Sequence, residues 1–202
     1  MTRGLMVVVS GPAGSGKGTV NAHLIKTGNY VYSVSATTRA PRPGEVDGVN
    51  YYFVSREEFR RRIDAGDMLE YTEYCGNYYG TPKKEALEVL ESGKNLILEI
   101  EVEGAMNVKR EYPEAVLIML LPPDFSIQEK RLRGRGTETE EKILQRLART
   151  REEVVMLPEY DYIVYNEDGA DSEAAHQIMG IVDAERHAIR HNYGAAERYF
   201  GK

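Results

Sequence analysis

Short apolar runs alternate along the chain with segments in which apolar positions recur at helical spacing. The runs cover residues 5–9, 96–100, 116–121 and 162–165. Continuous apolar runs of this length predict strands that are buried on both faces, as in a parallel sheet. Their alternation with helical segments predicts an α/β fold with three layers, in which helices cover both faces of the sheet. Ligands of such sheets bind at the carboxyl ends of the strands.

Several helix boundaries can be predicted from capping residues. Thr81 is a candidate N-cap, followed by Pro82 at the first helical position and by Gly93 just beyond the last turn. Asp171 similarly marks the start of a long C-terminal helix. Capping-box patterns at 55–58 and 137–140 predict two further helices.

The segment 11–19 reads Gly-Pro-Ala-Gly-Ser-Gly-Lys-Gly-Thr and lies between the first apolar run and a helical pattern. Glycines at this spacing let several backbone N–H groups point at one anion, and the N-terminus of the next helix adds its dipole. Lys17 supplies a mobile positive charge for the β and γ phosphates. This pattern predicts a phosphate-binding P-loop, made of Gly11, Pro12, Ala13, Gly14, Ser15, Gly16, Lys17, Gly18 and Thr19.

One position departs from the common P-loop. Gly18 follows the lysine where a Ser or Thr usually reaches Mg²⁺, and Thr19 comes one residue later. A Gly-Lys-Gly-Thr ending is similar to that of nucleoside monophosphate kinases, which implies that Mg²⁺ is held largely by phosphate oxygens and water.

Composition favours one compact domain with insertions. The chain has 202 residues, of which 42% are apolar and 29% charged. A formal net charge of −6 argues against a general nucleic-acid or anionic-membrane binder. The single cysteine, Cys75, cannot form an internal disulfide, and no signal sequence or long apolar span is present, so we expect a cytoplasmic protein.

Two segments differ from the predicted core. Residues 33–83 are rich in Tyr, Arg and Gly and predict a small, mostly β lobe. Residues 124–153 are dense in arginine and predict a helical lid around a Gly134-Arg135-Gly136 break. The remaining ranges, 1–32, 84–123 and 154–202, form the predicted core.

Beyond the P-loop, several stretches carry a resemblance that spans most of the chain. They are Thr-Thr-Arg-Ala-Pro-Arg at 37–42, Gly-Asn-Tyr-Tyr-Gly at 76–80, Leu-Glu-Ile-Glu at 98–101, Arg131 to Gly136 with the acidic stretch after it, and Tyr-Asn-Glu-Asp at 165–168. These stretches occur in the same order as in guanylate kinases, and the chain resembles that family. Guanylate kinases phosphorylate GMP and dGMP with ATP and Mg²⁺, a step of guanine nucleotide recycling.

The resemblance implies a role for residues of each insertion. The acceptor phosphate is expected to contact Arg39, Arg42, Tyr51 and Tyr79, and guanine is expected to contact Ser35, Glu70, Thr81 and Glu101. The catalytic cations are expected to be Lys17, Arg39, Arg131, Arg135 and Arg146. Asn166 is expected to contact adenine, with capping of its own loop as the alternative role.

Three of the candidate site positions depart from the family pattern. The family usually has Ser where this chain has Thr81, and often has Asp where it has Glu99 and Glu101. The resemblance implies that Glu99 contacts the metal through water, although its side chain is longer than the Asp often found there, and no residue is expected to bind the metal directly.

Two other functions remain open at this stage. A non-catalytic guanylate-kinase-like module would use the same pocket to bind a phosphorylated peptide, although an intact Lys17 argues against it. A sugar-phosphate kinase of the same fold would not need Glu70 and Thr81.

His187 and His191 lie four residues apart on the predicted last helix, where we expect a solvated face rather than a metal site. The oligomeric state cannot be predicted from these patterns.

Overall fold

The computed structural model describes residues 3–74, 76–134, 136, 139–192 and 194–201. A parallel sheet runs through its centre. The strands are β1 Met6–Ser10, β2 Tyr30–Tyr32, β7 Asn95–Glu99, β8 Val116–Leu121 and β9 Tyr162–Tyr165, in the spatial order β2-β7-β1-β8-β9. The predicted α/β fold with a central parallel sheet is confirmed. Two of the predicted apolar runs, 5–9 and 96–100, differ from their strands by one residue at each end.

Helices cover both faces of this sheet because successive strand residues point to opposite sides. They are α1 Lys17–Lys26, α3 Lys83–Glu91, α4 Val102–Glu111 and α7 Asp171–Glu185. Val7 and Val9 pack with α1 and α7 on one face. Met6 and Val8 pack with α3 and α4 on the other. β1 lies at the centre between β7 and β8, so the loop that leaves it emerges at the middle of the carboxyl edge.

A second, smaller sheet forms within the predicted β lobe. Its strands are β3 Ala36–Thr37, β4 Tyr52–Phe53, β5 Met68–Tyr74 and β6 Asn77–Pro82, in the order β4-β3-β6-β5. Its core contains Ala36, Phe59 and Met68, with the Phe59 ring stacked on Tyr78 at a centroid distance of 5.3 Å. Phe59 belongs to α2 Arg56–Asp64, which begins after the predicted cap: the Ser55 hydroxyl accepts from the Glu58 N–H at 3.1 Å.

The arginine-rich segment forms a pair of helices, α5 Phe125–Gly134 and α6 Glu140–Val155. Leu132, Ile143 and Leu147 pack together and against Ala13 of the P-loop, so this pair rests on the loop. The N-cap of α6 is Thr139, whose hydroxyl accepts from the Lys142 N–H at 3.5 Å. The predicted capping box began two residues earlier, and its first two residues, 137 and 138, lie outside the described residues, as does Cys75.

The predicted start of α3 was wrong by one residue. Thr81 and Pro82 are the last residues of β6, and α3 begins at Lys83 without a side-chain cap. The Thr81 hydroxyl is not available for capping because it donates to the Glu70 carboxylate at 2.8 Å. The predicted end is correct, since the Gly93 N–H bonds the Leu90 carbonyl at 3.1 Å with φ 84°.

The long C-terminal helix α7 begins at Asp171 as predicted, but it ends at Glu185. His187 and His191 therefore do not share a helical face, which corrects the sequence-based placement. His191 lies in a short 3-10 helix, Ile189–His191, and its Nε2 is 3.0 Å from the buried Glu185 carboxylate. An additional short helix, α8 Ala195–Tyr199, follows. In the described ranges no helix has the length and apolar character needed to cross a bilayer.

Candidate active site

One cavity of about 490 Å³ joins the P-loop to the smaller sheet at the carboxyl edge of the parallel sheet. Its wall on the P-loop side is formed by Ala13, Gly14, Gly16, Lys17, Gly18 and Thr19, with Arg146 from α6. Its wall on the lobe side is formed by Ser35, Arg39, Arg42, Glu45, Tyr51, Glu70, Thr72, Tyr79 and Gly80. Between them lie Glu99, Ile100, Glu101 and Gly104 from the end of β7 and the start of α4. We call the two sides the donor end and the acceptor end.

The donor end depends on glycines that no other residue can replace without strain. Gly16 is the N-cap of α1 with φ 88°, and a Cβ placed there would lie 2.3 Å from the Asn166 amide nitrogen. A Cβ on Gly11 would lie 2.1 Å from the Leu120 carbonyl oxygen of β8. The first turn of α1 has no acidic residue and no side-chain cap, so its N–H groups are left for an anion.

Lys17 is folded back onto its own loop. Its Nζ donates to the Gly11 carbonyl at 2.5 Å and approaches the Pro12 carbonyl at 3.4 Å. These neutral acceptors place the ammonium group over the loop without neutralising it. A phosphate in the loop would therefore meet a cation that is already in position.

Asn166 connects the P-loop to the start of α7. It is fully buried, and its Nδ2 donates to the Ser15 carbonyl at 2.9 Å and to the Asp171 carboxylate at 3.0 Å. These bonds tie the loop to the start of α7. They fit the loop-capping role for Asn166, while the adenine contact stays a prediction.

The predicted lid arginines differ in position. Arg146 lines the cavity beside the P-loop. Arg131 lies outside the cavity lining; its Nε and Nη2 donate to Asp168 at 3.0 and 2.8 Å, and Nη2 also donates to the Asn166 carbonyl. The Nη1 of Arg131 is buried and has no hydrogen-bond partner among the described residues. Arg135 lies outside the described part of the chain.

At the acceptor end, cations and tyrosines form a pocket suited to a phosphate. The Arg39 guanidinium lies 5.5 Å from the Tyr51 ring centroid, and the Tyr51 and Tyr79 rings meet edge to face at 6.1 Å. Burial raises the pKa of Tyr51, which keeps its hydroxyl protonated and able to donate. Arg42 is exposed at the rim of this pocket. Guanidinium and phenol donors are well matched to phosphate oxygens.

Glu45 is a site residue that the sequence analysis did not assign. Its carboxylate binds Arg39 in a bidentate pair at 2.8 and 3.0 Å and accepts from the Arg42 N–H at 2.7 Å. These bonds, with that from Arg39 the largest, hold the pKa of Glu45 below its usual range. The carboxylate therefore joins the backbone of one predicted phosphate ligand to the side chain of the other.

Glu70 is a buried carboxylate, 5% exposed, on β5. Burial raises its pKa to about 7, against the opposing effect of hydrogen bonds from Thr81. Thr81 is paired with it across the sheet and is itself fully buried, outside the cavity lining. Thr81 thus positions one carboxylate oxygen, while the other lies beside Gly104, where a Cβ would approach to 2.9 Å. Gly104 was also not assigned in advance, because its role depends on a contact between α4 and β5.

Glu99 and Glu101 flank the boundary between the two ends. Glu99 is the last residue of β7, and its Oε2 accepts from Asn21 Nδ2 at 2.8 Å and from the Tyr32 hydroxyl at 3.3 Å. Glu101 is the N-cap residue of α4, but its side chain makes no capping bond. Both carboxylates line the cavity.

Most of the predicted site residues thus lie around one cavity. Among the predicted residues that the structure describes, six are not in its lining: Gly11, Pro12, Ser15, Thr81, Arg131 and Asn166. Of these, Gly11, Ser15 and Asn166 shape the P-loop, and Thr81 positions Glu70.

A family model described as guanylate kinase matches residues 3–185. The chain belongs to the guanylate kinase family. Within this family, a guanylate kinase of Halalkalibacterium halodurans is 53% identical over 184 residues, 91% of this chain and 89% of the relative. One of Streptococcus thermophilus is 50% identical over 194 residues, 95% of this chain and 92% of the relative.

A solved guanylate kinase also shares the fold. The crystal structure of the guanylate kinase from Anaplasma phagocytophilum superposes with a TM-score of 0.79 at 34% identity, covering 98% of this chain and 94% of that one. The comparisons favour a guanylate kinase over the phosphopeptide-binding module and the sugar-phosphate kinase.

Proposed function

We propose that this protein is a guanylate kinase that transfers the γ-phosphoryl group of ATP to GMP and dGMP, producing ADP and the nucleoside diphosphate. The observation that carries this proposal is the single cavity in which a P-loop faces a buried carboxylate and a phosphate pocket. A binding module needs only the acceptor end. An enzyme needs both ends within one enclosure, because the two phosphates must meet.

The acceptor end is assigned to GMP. Arg39, Arg42, Tyr51 and Tyr79 bind its phosphate, and Ser35, Glu70, Thr81 and Glu101 select guanine. An ionised Glu70 accepts from the ring N–H and the 2-amino group of guanine. Adenine presents an acceptor at the equivalent ring nitrogen and would leave a buried carboxylate unpaired, which is costly. Thr81 acts by holding one oxygen of Glu70, at 2.8 Å.

The donor end is assigned to ATP. The backbone of 11–19 and Lys17 bind its phosphates, and Arg131, Arg135 and Arg146 bring positive charge to the transferred group. Arg131 has a buried Nη1 without a partner among the described residues, a donor that suits a phosphate oxygen. Asn166 supports the loop, and its adenine contact belongs to this proposal.

The residues present fit Mg²⁺ bound mainly through phosphate and water. The described residues contain no group of three or more His, Cys, Asp or Glu side chains that would hold a metal alone. Glu99 presents a carboxylate, and the neighbouring Asn21 has a buried Oδ1 without a described partner. Hard oxygen ligands of this kind suit Mg²⁺, which keeps several waters when it binds. When bound, Mg²⁺ would neutralise charge on the donor phosphates.

The chemistry requires positioning rather than a general base. The attacking oxygen belongs to a phosphate monoester whose second pKa is about 6, so it is mostly deprotonated at neutral pH. The barrier is the approach of two anions. Lys17 and the arginines of both ends reduce it by neutralising charge, and enclosure of the cavity excludes water that would hydrolyse ATP.

Within this function, residues 33–83 act as the GMP-binding lobe, 124–153 as the lid and the remaining ranges as the core. We further propose a cytoplasmic enzyme that binds neither nucleic acid nor membranes. The net charge of −6 supports the second part, because nucleic acids and anionic membranes attract proteins with broad basic surfaces.

The test is a coupled phosphoryl-transfer assay with GMP, dGMP, AMP, UMP and CMP as acceptors. Turnover restricted to the two guanine nucleotides is expected. Equal turnover of AMP would contradict the role of Glu70, and no turnover with any acceptor, despite GMP binding, would favour a binding module.

A further inference from the structure

A buried glutamine connects the P-loop to the lid helices. Gln128 of α5 is 1% exposed. Its Nε2 donates to the Ala13 carbonyl at 2.8 Å and to the Thr150 hydroxyl at 2.7 Å, which uses both hydrogens of the amide nitrogen. A buried amide with these two partners fixes the distance between a P-loop carbonyl and α6.

Thr150 extends this connection to the helix turn that carries Arg146. Its hydroxyl accepts from Gln128 and donates its own hydrogen to the Arg146 carbonyl at 3.0 Å. Three hydrogen bonds therefore connect the Ala13 carbonyl of the P-loop to the Arg146 carbonyl of α6, with the Gln128 amide donating towards both sides. Ala13 and Arg146 both line the cavity at its donor end, so the two ends of this chain of bonds belong to the same wall.

Close packing restricts movement around these bonds. A Cβ on Gly14 would lie 3.3 Å from Leu132 Cγ and 3.5 Å from Gln128 Cγ. Ala13 packs against the apolar cluster that α5 and α6 share. Packing therefore limits the positions open to the loop on this side, and the hydrogen bond from Gln128 selects the direction of the Ala13 carbonyl.

We propose that Gln128 and Thr150 are positioning residues for phosphoryl transfer. They hold the P-loop backbone and Arg146 in one fixed relation, so that the loop N–H groups and the arginine reach the same transferred phosphoryl group. The proposal rests on the kinase function proposed above. Positioning errors of about 1 Å cost up to about a hundred-fold in rate, so loss of these bonds is expected to lower kcat.

GMP binding at the acceptor end serves as the internal control for substitutions of Gln128 and Thr150. Neither residue contacts Arg39, Tyr79, Glu70 or Thr81 through any bond described above, so GMP affinity is expected to stay unchanged when they are altered. A residue that served only the stability of the fold would change the folded fraction and leave the activity of folded molecules intact.

The experiment compares Thr150→Val with Thr150→Ser. Valine keeps the branched shape and lacks the hydroxyl, whereas serine keeps the hydroxyl. Gln128→Met removes the amide at similar length. Gln145→Met is the matched control for the glutamine substitution, since Gln145 is exposed on α6, the helix of Thr150, and only approaches Glu141 at 3.4 Å. Each variant is measured for kcat and KM with both substrates, for GMP affinity by calorimetry without ATP, and for Tm.

Thr150→Val and Gln128→Met are expected to lower kcat about ten- to a hundred-fold. GMP affinity is expected to remain within about twofold, since no GMP contact is altered. Thr150→Ser is expected to recover most of the rate, and Gln145→Met to behave as wild type.

The proposal is overturned if folded Thr150→Val has wild-type kcat, if valine and serine at 150 are equally impaired, or if GMP affinity falls as far as kcat. Should Gln128→Met fail to fold, the valine and serine pair decides. An inactive wild-type protein would instead contradict the kinase function itself, and this is measured first.

Discussion

The two ends of the cavity are built from different materials. The donor end is mainly backbone. Gly11 and Gly16 lack the Cβ atoms that would collide with Leu120 and Asn166, and the first turn of α1 supplies N–H groups. The acceptor end is mainly side chain, brought together from β3 to β6, the end of β7 and α4. A backbone site binds any phosphate chain of suitable shape, whereas a side-chain site can distinguish one base from another. This difference suits a reaction in which the donor is bound through its phosphates and the acceptor is selected by its base.

The largest effect is expected at the donor end, from Lys17→Ala. Its ammonium group lies over the loop, bonded to the Gly11 carbonyl at 2.5 Å. Its loss removes charge that acts mainly in the transition state, so kcat is expected to fall by about 10²–10³. GMP affinity by calorimetry is expected to be unchanged, because the acceptor end is built separately.

The control for Lys17→Ala is Lys26→Ala, which removes an exposed lysine from the last turn of the same helix and should be neutral. Near-wild-type kcat in Lys17→Ala would break the comparison, because the donor end would then not depend on its cation.

The next largest effect is expected at the acceptor end, from Glu70→Gln, which tests base selection. Thr81 donates to Oε1, so glutamine is expected to keep its oxygen towards Thr81 and to present its NH₂ group in place of Oε2. A donor would then face the guanine donors, at a cost of about 2–4 kcal/mol in kcat/KM for GMP. Discrimination against AMP should narrow, since the ring acceptor of adenine can receive from the amide.

Arg39→Ala provides the contrast to Glu70→Gln, because a phosphate ligand carries no base information and its loss should weaken GMP and AMP alike. The ratio of kcat/KM for GMP to that for AMP is measured for both variants in the same coupled assay. An unchanged GMP-to-AMP ratio in Glu70→Gln would move base selection to Ser35, Thr81 or Glu101.

A smaller effect is expected from Gly104→Ala. The new Cβ would lie 2.9 Å from Glu70 Oε2, the end of a side chain that can move. The fold is therefore expected to tolerate the change, while the displaced carboxylate lowers kcat/KM for GMP about tenfold. Alanine also favours a helix by up to about 1 kcal/mol, so Tm should hold or rise as activity falls.

Gly180→Ala is the matched control for Gly104→Ala. Gly180 is an exposed glycine within α7 that has no atom within 4 Å of an added Cβ. It is expected to raise Tm without changing activity. Equal activity of the two variants would show that the carboxylate position is not critical.

The same division explains how much the sequence alone could predict. The P-loop is a continuous segment whose glycine spacing directly reflects backbone geometry, so the donor loop could be located from residue types. Glu70 and Gly104 are far apart in sequence and meet only because α4 packs against β5. Their contact has no local signal, and the acceptor residues came from family resemblance instead.

Tertiary bonds also account for the predictions that failed. Thr81 had every local feature of a helix cap, but pairing with Glu70 across the sheet keeps it in β6. His191 was placed on a helix that ends earlier, and Glu185 holds it in the turn that follows. In both cases a side-chain partner outside the local sequence pattern outweighed that pattern.

The smallest expected effect concerns pH and again separates the two ends. Burial raises the pKa of Glu70 to about 7, so the free protein binds a proton there that the unfolded chain would release near its usual value. Its contribution to stability therefore falls as pH rises from about 4.5 to about 7. Guanine donors bind only the ionised form, so GMP affinity should change in the opposite direction and rise with pH.

Between pH 6.5 and 8 the fraction of ionised Glu70 rises from about a quarter to about nine tenths, which predicts about a fourfold gain in GMP affinity. Ionisation of the GMP phosphate adds a smaller gain in the same range, because its second pKa is about 6. Glu70→Gln retains the phosphate contribution alone and is the matched control. Calorimetry in two buffers of different ionisation enthalpy should show that wild type releases a fraction of a proton on binding GMP at pH 6.5, and that the variant releases less. If wild type and Glu70→Gln show the same dependence on pH, Glu70 is already ionised in the free protein, and its burial does not control the acceptor end.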